Sequence, residues 1–188
     1  ILISCVMPSD DIVMADESKE FAVLSRLVMA AKGPITTVSG TELDRLLKLA
    51  STQREKKARI LLHGDPAHSL HEMLITHTQG SYIRPHINEF SAKSFLMLVG
   101  EMTVFLFDDN GEISARYHLG SQHSGKDFML RLEEPVFHTL VVMSETASFL
   151  ETVLGPHRET RYAGFAPEPS DKLAADQYFA WLVRESRE

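Results

Sequence analysis

The chain has 188 residues, 44% of them hydrophobic, and a formal net charge of −7. That is apolar content for one domain with a buried core, and with no basic run it argues against a nucleic-acid partner. The single cysteine, Cys5, excludes an internal disulfide and suits a reducing, cytoplasmic compartment.

No apolar run reaches the roughly 20 residues of a membrane-spanning helix, so no membrane partner is expected. The opening stretch, residues 1–7, is apolar but short, and it lacks the basic flank of a secretion signal.

Residues 1–34 read as an N-terminal helical extension. Phe21, Leu24, Leu27 and Val28 recur at helical spacing, which predicts a helix over 16–31 stopped by Gly33-Pro34. It is read as a packing helix or a dimer arm. Residues 35–57 form a helix leading into a β-rich region. Ser39 and Glu42 have capping-box spacing, and Leu43, Leu46, Leu47 and Ala50 make an apolar face. Arg54, Lys56, Lys57 and Arg59 come next, either as a solvated lead-in to a strand or as a basic rim for an anion.

From Ala58 the pattern changes to short β-rich runs, with strands expected over 58–63, 70–78, 80–86, 93–99, 101–107, 113–119, 127–132, 136–143 and 147–154. Gly64-Asp65-Pro66, Gln79-Gly80 and Asp108-Asp109-Asn110-Gly111 supply the turns. Many short strands without helices between them indicate an antiparallel sandwich or barrel over 58–155. Phe95, Met97, Phe105, Phe107 and Phe149 read as its core. Residues 156–188 are a Gly- and Pro-punctuated loop and a final helix over 171–187, apolar on Leu173, Tyr178, Trp181 and Leu182.

One stretch carries chemistry. Gly80, five residues, His86, one residue, Asn88, four residues, Lys93, six residues, Gly100 resembles the first motif of the cupin superfamily, in which the positions of His86, Asn88 and Lys93 hold His, His and Glu. Glu134-Pro135-Val136-Phe137-His138 resembles the second. Within the superfamily the chain is most similar to the WbuC-like cupin-fold metalloproteins, over about residues 36–185. That similarity rests on residues 58–66, 72–75, 80–86, 105–112, 138–141 and 149–156, and on Phe165-Ala166-Pro167-Glu168.

The resemblance implies a mainly β fold: a cupin-type antiparallel β-barrel, or jelly roll, with N-terminal helices and a C-terminal helix. It implies a divalent metal held by three imidazoles and a carboxylate. Here His86 and His138 keep their places, while Asn88 and Lys93 replace the other two ligands. It also implies a homodimer, since cupins pair their barrels, and a sugar-derived ligand, since the WbuC-like relatives are associated with surface-polysaccharide and sugar-nucleotide genes.

Side chains alternate faces along a strand. If 80–88 runs unbroken, Tyr82, Arg84, His86 and Asn88 share one face, as do Lys93, Phe95, Met97 and Val99 on the next strand, and His138 shares one with Leu140 and Val142; the resemblance implies that these faces point into the barrel. Three readings compete. In the first, His86 and His138 hold a weakened metal site, helped by Asn88, Glu89 or a third imidazole from His77 or His63. A Lys93 ammonium ~4 Å from a divalent ion would repel it by roughly 8 kcal/mol at an effective dielectric of ~20.

In the second, the site is metal-free and binds a small molecule. Lys93 takes the place of the ion, partnered by Asn88, an imidazole and Glu151, with Arg84 as a second cation; an anionic or sugar-derived ligand fits. The ligand-binding set is then Arg84, His86, Asn88, Lys93, His138 and Glu151. In the third, Lys93 is a general base or Schiff-base nucleophile, His138 or His86 its partner acid, and Tyr82 a proton donor, in an isomerase, epimerase or oxygenase. Plainer roles stand beside these: Tyr82 as a packed tyrosine, Arg84 as the ion-pair partner of Glu151 or Glu101, Asn88 and Glu89 as turn residues, and His118 and His123 as surface histidines.

Overall fold

The computed structural model describes residues 20–89, 92–156 and 158–187. They form two β-sheets packed face to face, with one helix against the outer surface of each. The strands are β1 (Phe21–Ser25), β2 (Val28–Ala31), β3 (Lys57–Leu61), β4 (Leu70–Thr78), β5 (His86–Ile87), β6 (Lys93–Val99), β7 (Glu101–Phe107), β8 (Ile113–Gly120), β9 (Met129–Leu132), β10 (Phe137–Val142), β11 (Thr146–Leu154) and β12 (Arg161–Tyr162). The helices are α1 (Gly40–Thr52) and α2 (Lys172–Glu185). Neither is long and apolar enough to cross a membrane.

The sheets run β1-β2-β3-β4-β11-β6-β9 and β12-β5-β10-β7-β8. The eight strands β4 to β11 alone read 4-11-6-9 in one sheet and 5-10-7-8 in the other. Apart from β7 and β8, consecutive strands cross between sheets. That is the double Greek key of a jelly roll, the barrel type to which cupins belong. The Asp108-Asp109-Asn110-Gly111 turn joins β7 to β8, with Asp108 Oδ1 accepting from the amides of Asn110 and Glu112 at 2.9 Å each. Gly100, between β6 and β7, has φ +75°, and a Cβ there would sit 1.9 Å from the Thr146 carbonyl.

Alternation along the long strands fills the barrel. Phe95, Met97 and Phe149 of one sheet meet Met102, Val104, Leu140 and Val142 of the other. Each fully buried side chain of this size stabilises the fold by about 1.5–3 kcal/mol. On the outer face of the first sheet, Leu46 and Ala50 of α1 pack on Ala58, Ile60 and Leu74. Ser39 caps α1, accepting from the Glu42 amide at 3.3 Å. On the outer face of the second, Leu182 of α2 packs on Phe105, Phe107, Phe137 and Val141. Covered on both sides, all six residues of β10 are buried.

Three expectations are corrected. The helix expected over 16–31 is an antiparallel hairpin in its described part, with Phe21 opposite Ala31 and Ala22 opposite Ala30; residues 16–19 lie outside the described residues. β2 adds in parallel to β3. An apolar run this short fits either period, and the backbone groups along the edge of β3 decide the case by taking a partner. The strand expected over 80–86 is confined to His86–Ile87. Leu173 is exposed, and Ala175 with Leu182 makes the buried side of α2.

Candidate functional site

His86 and His138 are directly opposite across β5 and β10, so both side chains leave the same face. Their ring centroids are 4.6 Å apart at 52°. Lys93 opens β6 and alternates inward with Phe95 and Met97; it is 4% exposed. Glu151 lies on β11 two residues after the core residue Phe149, on the same face. The Lys93 ammonium therefore sits among them, 3.2 Å from His138 Nε2 and 3.4 Å from Glu151 Oε2. A lysine is kept inside only when so partnered.

The tautomers are set by local bonds. His138 Nδ1 lies 2.9 Å from the Val136 carbonyl, and His86 Nδ1 lies 3.0 Å from the Arg84 carbonyl. A carbonyl only accepts, so each Nδ1 carries the hydrogen and each Nε2 keeps a lone pair. Lys93 donates to that of His138. Burial, then the Lys93 charge, holds the His138 imidazole well below its usual range. The same two causes, in the same order, bring His86 down to about 4 against the opposing pull of the Arg84 carbonyl and Glu151. Both rings are neutral at pH 7.

A cleft opens beside the ammonium, lined by Asn88, Lys93, Glu134, Pro135, Val136 and His138. It has room for about one water molecule, ≈ 10 Å³. Asn88 Oδ1 is buried with no hydrogen-bond partner among the described residues. Glu134 and Pro135, at the exposed rim, belong to the second motif of the sequence but stand outside the candidate site residues read from it; their signal is the Pro135-to-His138 spacing itself.

The structure brings together His86, Asn88, Lys93, His138 and Glu151. It places Tyr82 and Arg84 elsewhere. Tyr82 donates to the Pro167 carbonyl at 2.9 Å and meets Tyr178 and Phe179 edge-on. Arg84 donates to the carbonyls of Ala166 and Ala163 at 3.1 and 3.0 Å and pairs with Glu168 at 3.2 Å. Its carboxylate partner is thus Glu168, not Glu151 or Glu101. Both side chains tie the segment after β12 to the barrel. Alternation fails here because residues 81–85 pair with no strand; the Pro85 carbonyl accepts from the Ala163 amide instead.

Of the other candidates, Glu89 pairs with Arg161, His77 bonds Ser81, His63 stacks on His71, and His118 bonds the Thr103 hydroxyl.

The metal that the cupin resemblance implies does not fit these residues. Among the described residues no three His, Cys, Asp or Glu side chains are grouped to hold a metal ion. The His138 Nε2 lone pair that a metal would take is already bonded to an ammonium.

A family described as Domain of unknown function (DUF6016) matches residues 38–119. No curated protein matches the chain. Among solved structures, the chain is similar to an uncharacterized conserved protein with a double-stranded β-helix domain from Klebsiella pneumoniae (12% identity, TM-score 0.49, 69% of this chain and 98% of that one). It is similar to the Cnp3 cupin domain of Schizosaccharomyces pombe (10%, TM-score 0.40, 54% and 66%) and to a mutant oxalate decarboxylase of Bacillus subtilis (17%, TM-score 0.44, 65% and 32%). It spans 23% and 56% of two further matched proteins, from Brassica napus and Thevetia peruviana. Two of these neighbours are described as a double-stranded β-helix domain and a cupin domain; the fold of this chain rests on its own strand order.

Proposed function

We propose that the protein is a cupin-fold small-molecule-binding protein whose metal site has become a metal-free site, with an anionic or sugar-derived ligand. The supporting observation is the Lys93 ammonium on His138 Nε2, with Glu151 as its counter-charge. A fixed cation stands where the family resemblance implies a metal, and it faces a cleft that reaches the surface at Glu134 and Pro135. The homodimer and the cytoplasmic location are part of the same proposal; the single cysteine supports the second.

The test has two parts. Elemental mass spectrometry of the purified protein should find far less than one metal per chain. Melting temperature should then rise with ligand concentration for some members of a panel of sugars and small carboxylates, as mass action requires, and should not rise for Lys93→Met. Stoichiometric metal that a chelator removes would overturn the proposal. A second reading, a lysine-dependent enzyme, draws on the same Lys93–His138 contact, which has the geometry for proton transfer. Turnover of a panel sugar that Lys93→Met abolishes would favour it.

A further inference from the structure

A second concentration of positive charge lies on β3, away from Lys93. Lys57 and Arg59 alternate with Ala58 and Ile60, which pack under α1. Both long side chains therefore leave the other face of the sheet. Lys57 stands directly opposite His77 of β4. His77 in turn pairs with Ala147, four residues along β11 from Glu151, which is about 13 Å of strand.

Lys57 and Arg59 are partly buried, and neither side chain has an ion pair or hydrogen bond among the described residues. Other partly buried cations of the barrel are paired: Arg84 with Glu168, Lys93 with Glu151 and Arg116 with Glu185. The carboxylate that acts on Lys57, that of Glu55, is already held by Arg26. Three cations against one carboxylate leave two positive charges without a counter-charge. Their neighbours register the imbalance. Burial, then Lys57 and Arg59, brings the His77 imidazole down to about 3. Burial, then Arg59, lowers the Lys57 ammonium against the opposing pull of Glu55. Like charges side by side and half removed from water are unfavourable. An anion arriving from solution relieves that cost, and the partial exposure of both side chains lets it reach them.

We propose that Lys57 and Arg59 form a binding site for a phosphate group, free or as a monoester, separate from the Lys93 cleft. A phosphate carries about −1.5 to −2 charges at pH 7, which matches the two unbalanced cations; a carboxylate would neutralise one. Alternate positions on a strand are about 7 Å apart, a span that one tetrahedral anion bridges between two long side chains. The Arg59 guanidinium offers a planar fork for two of its oxygens, and the Lys57 ammonium a point charge for a third.

The test is a two-dimensional NMR titration of the whole chain with inorganic phosphate, glycerol 3-phosphate or sodium chloride, each added to the same ionic strength. The phosphates should give saturable shifts at the Lys57 and Arg59 amides and the His77 ring, and the tighter of the two identifies the source. Lys57→Gln and Arg59→Gln should each weaken binding about tenfold. Each also removes an unbalanced charge, so each should melt no lower than the natural protein without phosphate, which separates lost binding from lost fold. Equal shifts with chloride, no shift at these residues, or phosphate binding unchanged in the double variant Lys57→Gln/Arg59→Gln would overturn the proposal and leave a solvated basic face. If phosphate moves Lys93 and His138 alone, this proposal falls and the Lys93 cleft stands as the anion site.

Discussion

Replacing Lys93 with Met removes one charge and keeps an unbranched side chain of similar reach. Glu151, with a side chain 14% exposed, then loses its cation, and His138 Nε2 loses its donor. Breaking a buried ion pair from one side costs about 3–5 kcal/mol, because the remaining charge stays behind. Glu151 keeps some contact with solvent, so the expected loss is at the low end, about 3 kcal/mol. For a chain of this size that is a fall of roughly 6–12 °C in melting temperature.

Urea unfolding followed by far-UV circular dichroism and Trp181 fluorescence measures it. The double variant Lys93→Met/Glu151→Leu removes both charges and should return to within about 1 kcal/mol of the natural protein. An unchanged urea midpoint in the single variant would refute the reasoning. So would a double variant weaker than the single one.

Acid should destabilise the fold below pH 6.5. Burial brings His77 down to about 3 and His86 to about 4, and holds His138 well below its usual range. The unfolded chain therefore takes up these protons first. Each imidazole removes about 1.4 kcal/mol per pH unit as pH falls from 6.5 toward its folded value. A urea midpoint flat between pH 6.5 and 5 would contradict this. The variant Asn88→His/Lys93→Glu restores the donor types that the cupin resemblance implies, and should carry near one metal per chain by elemental mass spectrometry; an empty, folded variant would count against a converted metal site.

Gly100→Ala forces a side chain into positive φ and against the Thr146 carbonyl, so it should cost more than about 1–2 kcal/mol in urea unfolding. Arg84→Ala should cost about 2 kcal/mol and speed hydrogen exchange at the Ala163 amide, while cleft resonances stay in place.

The fold was legible where strands are long and alternate cleanly. The spans expected for β4, β6 and β7 coincide with those formed, and the Asn110-Gly111 turn sits where its chemistry puts it. The N-terminal hairpin was not legible. Phe21, Leu24, Leu27 and Val28 satisfy a helical period, and nothing local says that β3 has an edge for β2 to join. That edge exists only once the sheet is assembled. β12 is a two-residue strand held by one short neighbour, too short for any period to declare itself.

The site divides along the same line. Lys93 lies on β6 and Glu151 on β11; alternation puts Lys93 on one face with Phe95 and Met97, the cupin resemblance made that face the inner one, and the direction of Glu151 stayed open until its contact with Lys93 was known. Tyr82 and Arg84 were assigned by the same rule across 80–86, where only His86–Ile87 pair, and the rule has no force on unpaired backbone. What no spacing could reveal is the pair of bonds from His86 to the Arg84 carbonyl and from His138 to the Val136 carbonyl. Each runs from a ring to a carbonyl two residues back, and each turns Nε2 into the acceptor. A metal site would use those lone pairs for coordination. Here the one on His138 receives a tethered ammonium whose counter-charge is Glu151. On the proposed metal-free reading, a chelator leaves the Lys93–His138 contact in place, and Lys93→Met removes it.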